Sequence, residues 1–387
     1  MLMEEKIVIS NYAHYHTPYQ VEALIETDSN VDIEYYTGVN PRRIRKICNQ
    51  FPKNRIHNYF YHFACKRVLK KYTGIIKNND SLDENKFESL VSKKIGQYGN
   101  AIKIFHAFNG SALMTMDALP KNVIKIVECG VHPRYYAEIC NEERRKYNIE
   151  GDSLSKAYIE KSEKEFEMAD YIITLSDVCR KSFVQNKIAE NKIIQLPIGS
   201  DTKNYKNCTE RNEIFTILYV GRVTLLKGVQ YLLDACEQLI ANGINIRCEI
   251  VGPVTDQHML KQKEKYNGNK RIIFEGKKSS EELKYFYSRA SVMVMPSLID
   301  SFCMSVYESL ACKTPVIITE NVGAAIEDRV NGYIVPIRNS TAIAEKIMCF
   351  YDQRDKVEEF GKRGNNMVEK YTWNKYGRDL LRFYTSL

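Results

Sequence analysis

Residues Ala290 to Pro336 read ASVMVMPSLIDSFCMSVYESLACKTPVIITENVGAAIEDRVNGYIVP, and the order of signals in this stretch decides the fold. The apolar run from Ser291 to Met295 stops at Pro296, as a strand buried in a parallel sheet does. Ser297 to Ser301 make a polar turn. A helical pattern follows, with Met304, Tyr307, Ser309, Leu310 and Ala311 available for packing, and Lys313-Thr314-Pro315 ends it. Val316 to Thr319 is the next buried strand. Strand, loop, helix and strand form one unit of an open parallel sheet, whose ligands sit beyond the carboxyl ends of the strands. The loop opens at a helix N-terminus, where backbone N–H groups favour an anion, phosphate above all. Asp300 and Glu308 flank that start. Carboxylates that accept from hydroxyls, beside N–H groups that donate to phosphate, point to a nucleotide-sugar.

The same residues carry a family resemblance. Asp300 and Glu308 stand with seven residues between them in DSFCMSVYE, which resembles the E-x7-E motif of family 4 retaining glycosyltransferases, the group 1 glycosyl transferases. The longer stretch MPSLIDSFCMSVYESLACKTPVI follows that family's PSxxESFGLPxLEAMAxGxPV nearly position by position. It departs at Asp300, where the family has Glu, at Cys303 for Gly, and at Ser305 for Pro. Pro-Ser, the carboxylate pair, Ala, Pro-Val and the later Asn331-Gly332 fall in order, which a generic doubly wound repeat does not require. The resemblance implies an α/β chain of the GT-B fold: two Rossmann-like domains facing across a cleft, and a C-terminal helix that crosses back to the N-terminal domain. It covers the second half of the chain well and the first half loosely.

Composition agrees with two soluble domains. The 387 residues are 44% hydrophobic and 27% charged, ordinary for a globular protein of this size. No apolar run is long enough to span a bilayer, and MLMEEKIVIS, with acids ahead of a short strand, is unlike a signal peptide. Eleven cysteines without a C-x-x-C pair read as reduced thiols of a cytoplasmic protein. The absence of any D-x-D triplet removes the usual metal-diphosphate clamp of the other large glycosyltransferase fold. Protein groups must then neutralise the diphosphate, and neither metal nor other cofactor is expected. The net charge of +8 is concentrated: Arg42 to Lys77 hold eleven Lys and Arg and no Asp or Glu, with Tyr59, Phe60, Tyr61, Phe63 and Tyr72 among them. Such a face suits an anionic membrane surface, at the inner membrane, or an acidic acceptor. A plain solvated helix face accounts for it equally well. No nucleic-acid module is recognisable, so no nucleic-acid partner is expected.

Along the chain, Lys6–Ser10 reads as the first strand and Val31–Tyr36 as the second. Between them Asn11 to Gln20 lacks the Gly-Gly pair that the family often carries near the donor phosphates. Its His14, Tyr15 and His16 suggest aromatic and polar contact with an acceptor, against the plainer reading of a surface loop. Residues 40–100 read as largely helical and basic, with a looped patch near Lys77 to Glu84. Strands follow at Ile102–His106 and Val123–Glu128, then a helix at Ser153–Met168, and strands at Ala169–Ser176 and Lys192–Pro197. His132, in Cys129-Gly130-Val131-His132-Pro133, resembles the family's histidine that approaches the donor sugar; a loop histidine held by backbone bonds is the alternative, and His106 is a lesser candidate. Ile198-Gly199-Ser200-Asp201 resembles the interdomain linker, so the domains are expected at 1–196 and 197–371, with 372–387 as the crossing helix.

In the second domain, Phe215–Val220 leads into Gly221-Arg222-Val223-Thr224-Leu225-Leu226-Lys227-Gly228, which resembles the family's phosphate site. There Arg222 presents a planar fork and Lys227 a point charge. Strands at Arg247–Val251, ending at Gly252, and at Arg271–Phe274 complete the donor side, with the backbone near Lys277 expected at the base edge. Helices are expected at Thr341–Phe350 and Val357–Tyr371. The resemblance thus implies a retaining, metal-independent transferase using a UDP- or GDP-sugar and a glycan or lipid-linked acceptor, in cell-surface glycan or glycolipid assembly. It implies catalytic roles for His132, Asp300, Arg222 and Lys227. Donor contacts would come from Arg222, Lys227, Gly252, Lys277, Phe302, Cys303, Met304 and Glu308, with Glu308 on the ribose and Asp300 on the sugar. A nucleotide-sugar epimerase on the same fold, or a non-catalytic sugar-nucleotide-binding subunit, fits the same residues.

Overall fold

A computed structural model of the chain describes residues 5–12, 16–63 and 80–387. It is built on two parallel sheets. The first comprises β1 (Lys6–Asn11), β2 (Ile33–Thr37), β3 (Ile56–Asn58), β4 (Ile102–Phe108), β5 (Ile124–Glu128), β6 (Tyr171–Thr174) and β7 (Ile193–Gln195), in the order β3-β2-β1-β4-β5-β6-β7. The second comprises β8 (Phe215–Val220), β9 (Ile246–Val251), β10 (Ile272–Gly276), β11 (Val292–Met295), β12 (Val316–Thr319) and β13 (Gly332–Val335), in the order β10-β9-β8-β11-β12-β13. The central strands FTILYV, VMVM and VIIT are buried at every residue. That is why they read as unbroken apolar runs rather than alternating ones. The expected α/β architecture of two Rossmann-like domains is the one observed.

Each sheet reverses its strand order once, between β1 and β4 and between β8 and β11. Ligands of open parallel sheets bind outside the carboxyl ends at such a reversal. Arg222 follows β8 and Asp300 follows β11, so topology alone brings the two motifs to one crevice. Polar caps start the covering helices. Ser155 accepts from the Tyr158 amide, Asp256 from His258 and Met259, and Ser279 with Glu282 forms a reciprocal capping box.

The terminal helix Trp373–Thr385 crosses back and packs on the helix Thr17–Thr27 of the first domain. Gly377 permits the approach: a Cβ there would lie 2.4 Å from the Ala23 carbonyl oxygen. Trp373 stacks on Tyr19 with centroids 4.9 Å apart, and the buried Tyr384 hydroxyl meets His106 Nδ1 at 2.5 Å. The crossing strap lies against the chain that first links the two sheets, where the Ser200 amide donates to the Tyr371 carbonyl.

The helices Pro41–Ile47 and Asp80–Ile95 agree with the largely helical reading of residues 40–100 among the described residues, but between them stands β3, an unexpected edge strand whose His57 pairs with Glu34 at 2.7 Å. Asp80 to Glu84 are not looped but open the helix Asp80–Ile95. Asp83 in the first turn complements the helix dipole, and the buried Phe87 and Val91 anchor the next turns. β13 also went unread, because GYIV is too short for its pattern to tell strand from turn.

Candidate active site

The loop after β8 turns through Leu225–Lys227 into Gly228, whose φ is +66°. A Cβ on Gly228 would lie 1.8 Å from the Pro296 carbonyl oxygen, so only glycine lets this turn rest on the end of β11. The Leu298 amide donates to the Leu226 carbonyl at 2.9 Å and ties the two loops together. Asp300 is pinned on both sides: its amide donates to the Asn321 carbonyl at 3.0 Å, and its carbonyl accepts from the Gly323 amide at 2.8 Å. The result is an ion pair, Lys227 Nζ to Asp300 Oδ2, of 2.5 Å. Burial disfavours the charge on Lys227, but the Asp300 carboxylate outweighs it and holds the ammonium above its usual value.

Arg222 is exposed and has no ion-pair partner among the described residues. With Lys227, Asp300, Phe302, Cys303 and Met304 it lines a notch of about 220 Å³. Met304 begins the helix Met304–Ala311, and Cys303 at its N-cap makes no side-chain cap bond; the Val306 amide turns back to the Cys303 carbonyl at 3.0 Å, so the Met304 and Ser305 N–H groups are the ones left for water or a ligand. Burial pushes the Cys303 thiol up to about 12, which keeps it protonated beside the Asp300 carboxylate. Glu308 sits further along the same helix, off the notch wall, and accepts from the Tyr287 hydroxyl at 2.7 Å. Burial raises its carboxyl to about 7, an effect the Tyr287 bond only partly offsets.

The notch opens into a cleft of about 680 Å³ between the domains. Asn109, Glu128, Gly130, Tyr136 and Tyr158 of the first domain face Arg222, Lys227 and Asp300 of the second. The turn carrying Asp300 is pressed against the first domain at its base. Cys179 Sγ donates to the Ser301 carbonyl at 3.3 Å, and a Cβ on Gly130 would lie 2.8 Å from the Ser301 Cβ.

Of the histidines read as candidates, His14 lies outside the described residues, as does Tyr15. His16 is bonded through Nε2 to Glu128 Oε1 at 2.7 Å. His106 is enclosed in β4, with Nε2 3.4 Å from Glu128 Oε2 and the Tyr384 hydroxyl on its other nitrogen. Glu128 is itself fully buried; burial alone would raise its pKa, yet the two imidazoles bring it down to about 2. His132 stands behind the cleft wall. It caps the helix Pro133–Lys146, accepting from the Arg134 amide at 3.3 Å, and its ring packs on Phe166 and Phe183. Burial lowers its pKa to about 4, so it is neutral at pH 7. Gly252 holds the loop after β9 against the Gly221 carbonyl, and Lys277 is exposed beyond β10.

Sequence reasoning missed the buried acids. Glu165 accepts from the backbone of Gly110, Ala112 and Leu113 and from Asn109 Nδ2, filling from within the anion nest at the end of β4. Glu143 binds groups of the second domain. Each lies on a helix rich in charge, where nothing local marks one acid as buried.

Residues 201–367 match the family model described as glycosyl transferases group 1. The chain is similar to an uncharacterized glycosyltransferase of Methanocaldococcus jannaschii, 26% identical over 56% of this chain and 62% of that protein. It is also similar to the capsular polysaccharide biosynthesis glycosyltransferase CapM of Staphylococcus aureus, 28% identical over 54% of this chain and 58% of that one. The matched stretches thus span about three-fifths of these curated relatives. Across its whole length the fold resembles that of HepE from Anabaena, solved in complex with UDP, with a TM-score of 0.69, 12% identity, and coverage of 99% of this chain and 100% of that one. The fold is therefore GT-B, and the family match to its second half supports a glycosyltransferase.

Proposed function

We propose that this chain moves a sugar from a nucleoside diphosphate sugar to an acceptor hydroxyl, with retention of the anomeric configuration and without a metal ion. The observation that carries the reading is the notch where the exposed Arg222 fork and the Lys227–Asp300 pair meet the N-terminus of the helix Met304–Ala311. Departure of a diphosphate builds negative charge, and donors already fixed around that position stabilise it without reorganising. Arg222, Lys227 and the Met304 and Ser305 N–H groups are those donors. Asp300 neutralises Lys227 in the free protein and faces the sugar when phosphate shares the ammonium. Glu308 takes the ribose hydroxyls. The acceptor enters along the first-domain wall, between Asn109, Tyr136 and Tyr158, so that its hydroxyl meets the donor on the face that the diphosphate leaves. His132 shapes the Gly130–Val131 loop of that wall from behind.

HepE is solved with UDP, which makes UDP-sugars the first donors to try. The name of CapM ties that relative to capsular polysaccharide, which supports a glycan or lipid-linked acceptor in surface glycan assembly. The test is donor turnover with and without candidate acceptors, in chelator. Transfer to an acceptor in EDTA, with Arg222→Ala and Lys227→Ala each losing about 2–4 kcal/mol in kcat/KM, is the expected result. Turnover that ignores every acceptor points to an epimerase. Wild-type rates in both variants, or activity that only manganese or magnesium restores, overturn the proposed clamp.

A further inference from the structure

Glu143 lies on the helix Pro133–Lys146 of the first domain and is 1% exposed. Among the described residues, all its side-chain partners come from the second domain. Gln230 Nε2 donates to Oε1 at 2.9 Å, Tyr231 Oη at 2.9 Å, and Arg338 Nε donates to Oε2 at 2.8 Å. The Tyr231 hydroxyl in turn accepts from Lys146 Nζ at 2.9 Å. Arg338 directs its whole fork across the interface: Nη1 reaches Glu142 at 3.1 Å and Nη2 donates to the Ile139 carbonyl at 3.0 Å. Its backbone has φ +59°, a left-handed conformation that is unfavourable for a side chain and is kept where the surroundings impose it.

The network does not end at the interface. Gln230 Nε2 also donates to the Leu225 carbonyl at 3.0 Å, and Leu225 opens the turn that carries Lys227. Both neighbours of that amide nitrogen are acceptors, so the chemistry fixes the orientation of the amide. A carboxylate of one domain therefore holds the phosphate loop of the other through a single side chain.

We propose that Glu143 is a positioning residue that seats the Leu225–Lys227 turn from the opposite domain, and that with Arg338 it clamps the cleft shut. The proposal rests on the reading of that turn as the diphosphate site. Losing one partner penalises the closed form alone, because in the open form water solvates what remains. A protein closed only part of the time binds its ligand more weakly by that fraction.

Small-angle scattering on the full chain, with UDP and GDP titrations and donor kinetics, tests this on Glu143→Gln, Arg338→Gln and the milder Arg338→Lys, with circular dichroism to confirm folding. Both Gln variants should expand without nucleotide and contract at saturating UDP or GDP. Affinity for the diphosphate should fall about tenfold and donor KM should rise, with kcat less affected. Arg338→Lys should fall between. A purely structural role would lower the melting temperature without nucleotide-dependent contraction. Unchanged scattering overturns the clamp. Open domains with wild-type affinity overturn the seating of the loop. If the wild type binds neither UDP nor GDP, the diphosphate reading fails, and scattering without nucleotide still decides the clamp.

Discussion

Asp300 and Glu308 belong to one motif and sit in opposite electrostatic surroundings. Asp300 is paired with Lys227, whereas among the described residues Glu308 has only the Tyr287 hydroxyl, and burial lifts its carboxyl from 4.5 to about 7. Between those values the folded chain holds a proton that the unfolded chain has released. The stability from neutral Glu308 is therefore complete below about pH 4.5 and is lost as pH rises through about 7. One proton sets the limit of the slope, about 1.4 kcal/mol per pH unit. Glu308→Gln, neutral throughout, should flatten that part of a melting-temperature profile between pH 5 and about 8. Superimposable profiles for variant and wild type would refute the buried environment. At this scale the sequence showed the notch well, since Arg222, Lys227, Asp300 and Phe302 to Met304 do converge. It could not show Glu143, whose partner Arg338 lies 195 residues away. Nor could it show that His132 would face two phenylalanines, because Phe166 and Phe183 come from later helices.

At the scale of elements, the central, fully buried strands were the most legible, because both faces demand apolar residues, and the edge strands β7 and β10 were legible too. The edge β3 was not: it carries Ile-His-Asn, which has no strand pattern of its own, and its His57 pairs with Glu34 on the neighbouring strand. The crossing helix was legible as a helix, but its contact depends on absent atoms. Gly377→Ala would place a methyl 2.4 Å from the Ala23 carbonyl and 2.8 Å from Thr27 Oγ1, both on the helix Thr17–Thr27. Backbone cannot yield as a side chain can, so the helices must separate. We expect a loss of about 1–3 kcal/mol, as for overpacked cores. Gly96→Ala is the control, since a Cβ there meets nothing within 4 Å; it should stay within about 0.5 kcal/mol. Equal denaturation midpoints for the two variants would show that the crossing helix is not held by this contact.

The whole molecule adds a relation that neither motif nor element contains, the placement of the basic run relative to the cleft. The helix Pro41–Ile47 begins shortly after the carboxyl end of β2, at the same end of the parallel sheet as the cleft residues Asn109 and Glu128. Ile44 is buried, while Arg42, Arg45 and Lys46 are exposed without an ion-pair partner among the described residues. Arg55 is different, for it turns inward to Asp32 at 3.1 Å. The exposed Tyr61 follows β3, and the cationic residues from Lys66 to Lys77 lie outside the described ones. No helix among the described residues is long and apolar enough to cross a membrane, so an association with lipid through this face would be peripheral. Each cation near an anionic surface contributes about 1 kcal/mol, and salt within a Debye length screens it. Reversing Arg42, Arg45 and Lys46 to Glu should therefore weaken binding to phosphatidylserine vesicles by orders of magnitude at low salt. Raising the salt should weaken the wild type in the same way. Because these residues stand outside the notch, turnover of a soluble acceptor should survive the reversal, while transfer to a lipid-linked acceptor in vesicles should fall. If neutral and anionic vesicles bind equally weakly, the face is solvated and the acceptor reaches the cleft without it. If instead the reversal slows soluble and vesicle-borne acceptors alike, the face is a groove for the acceptor itself.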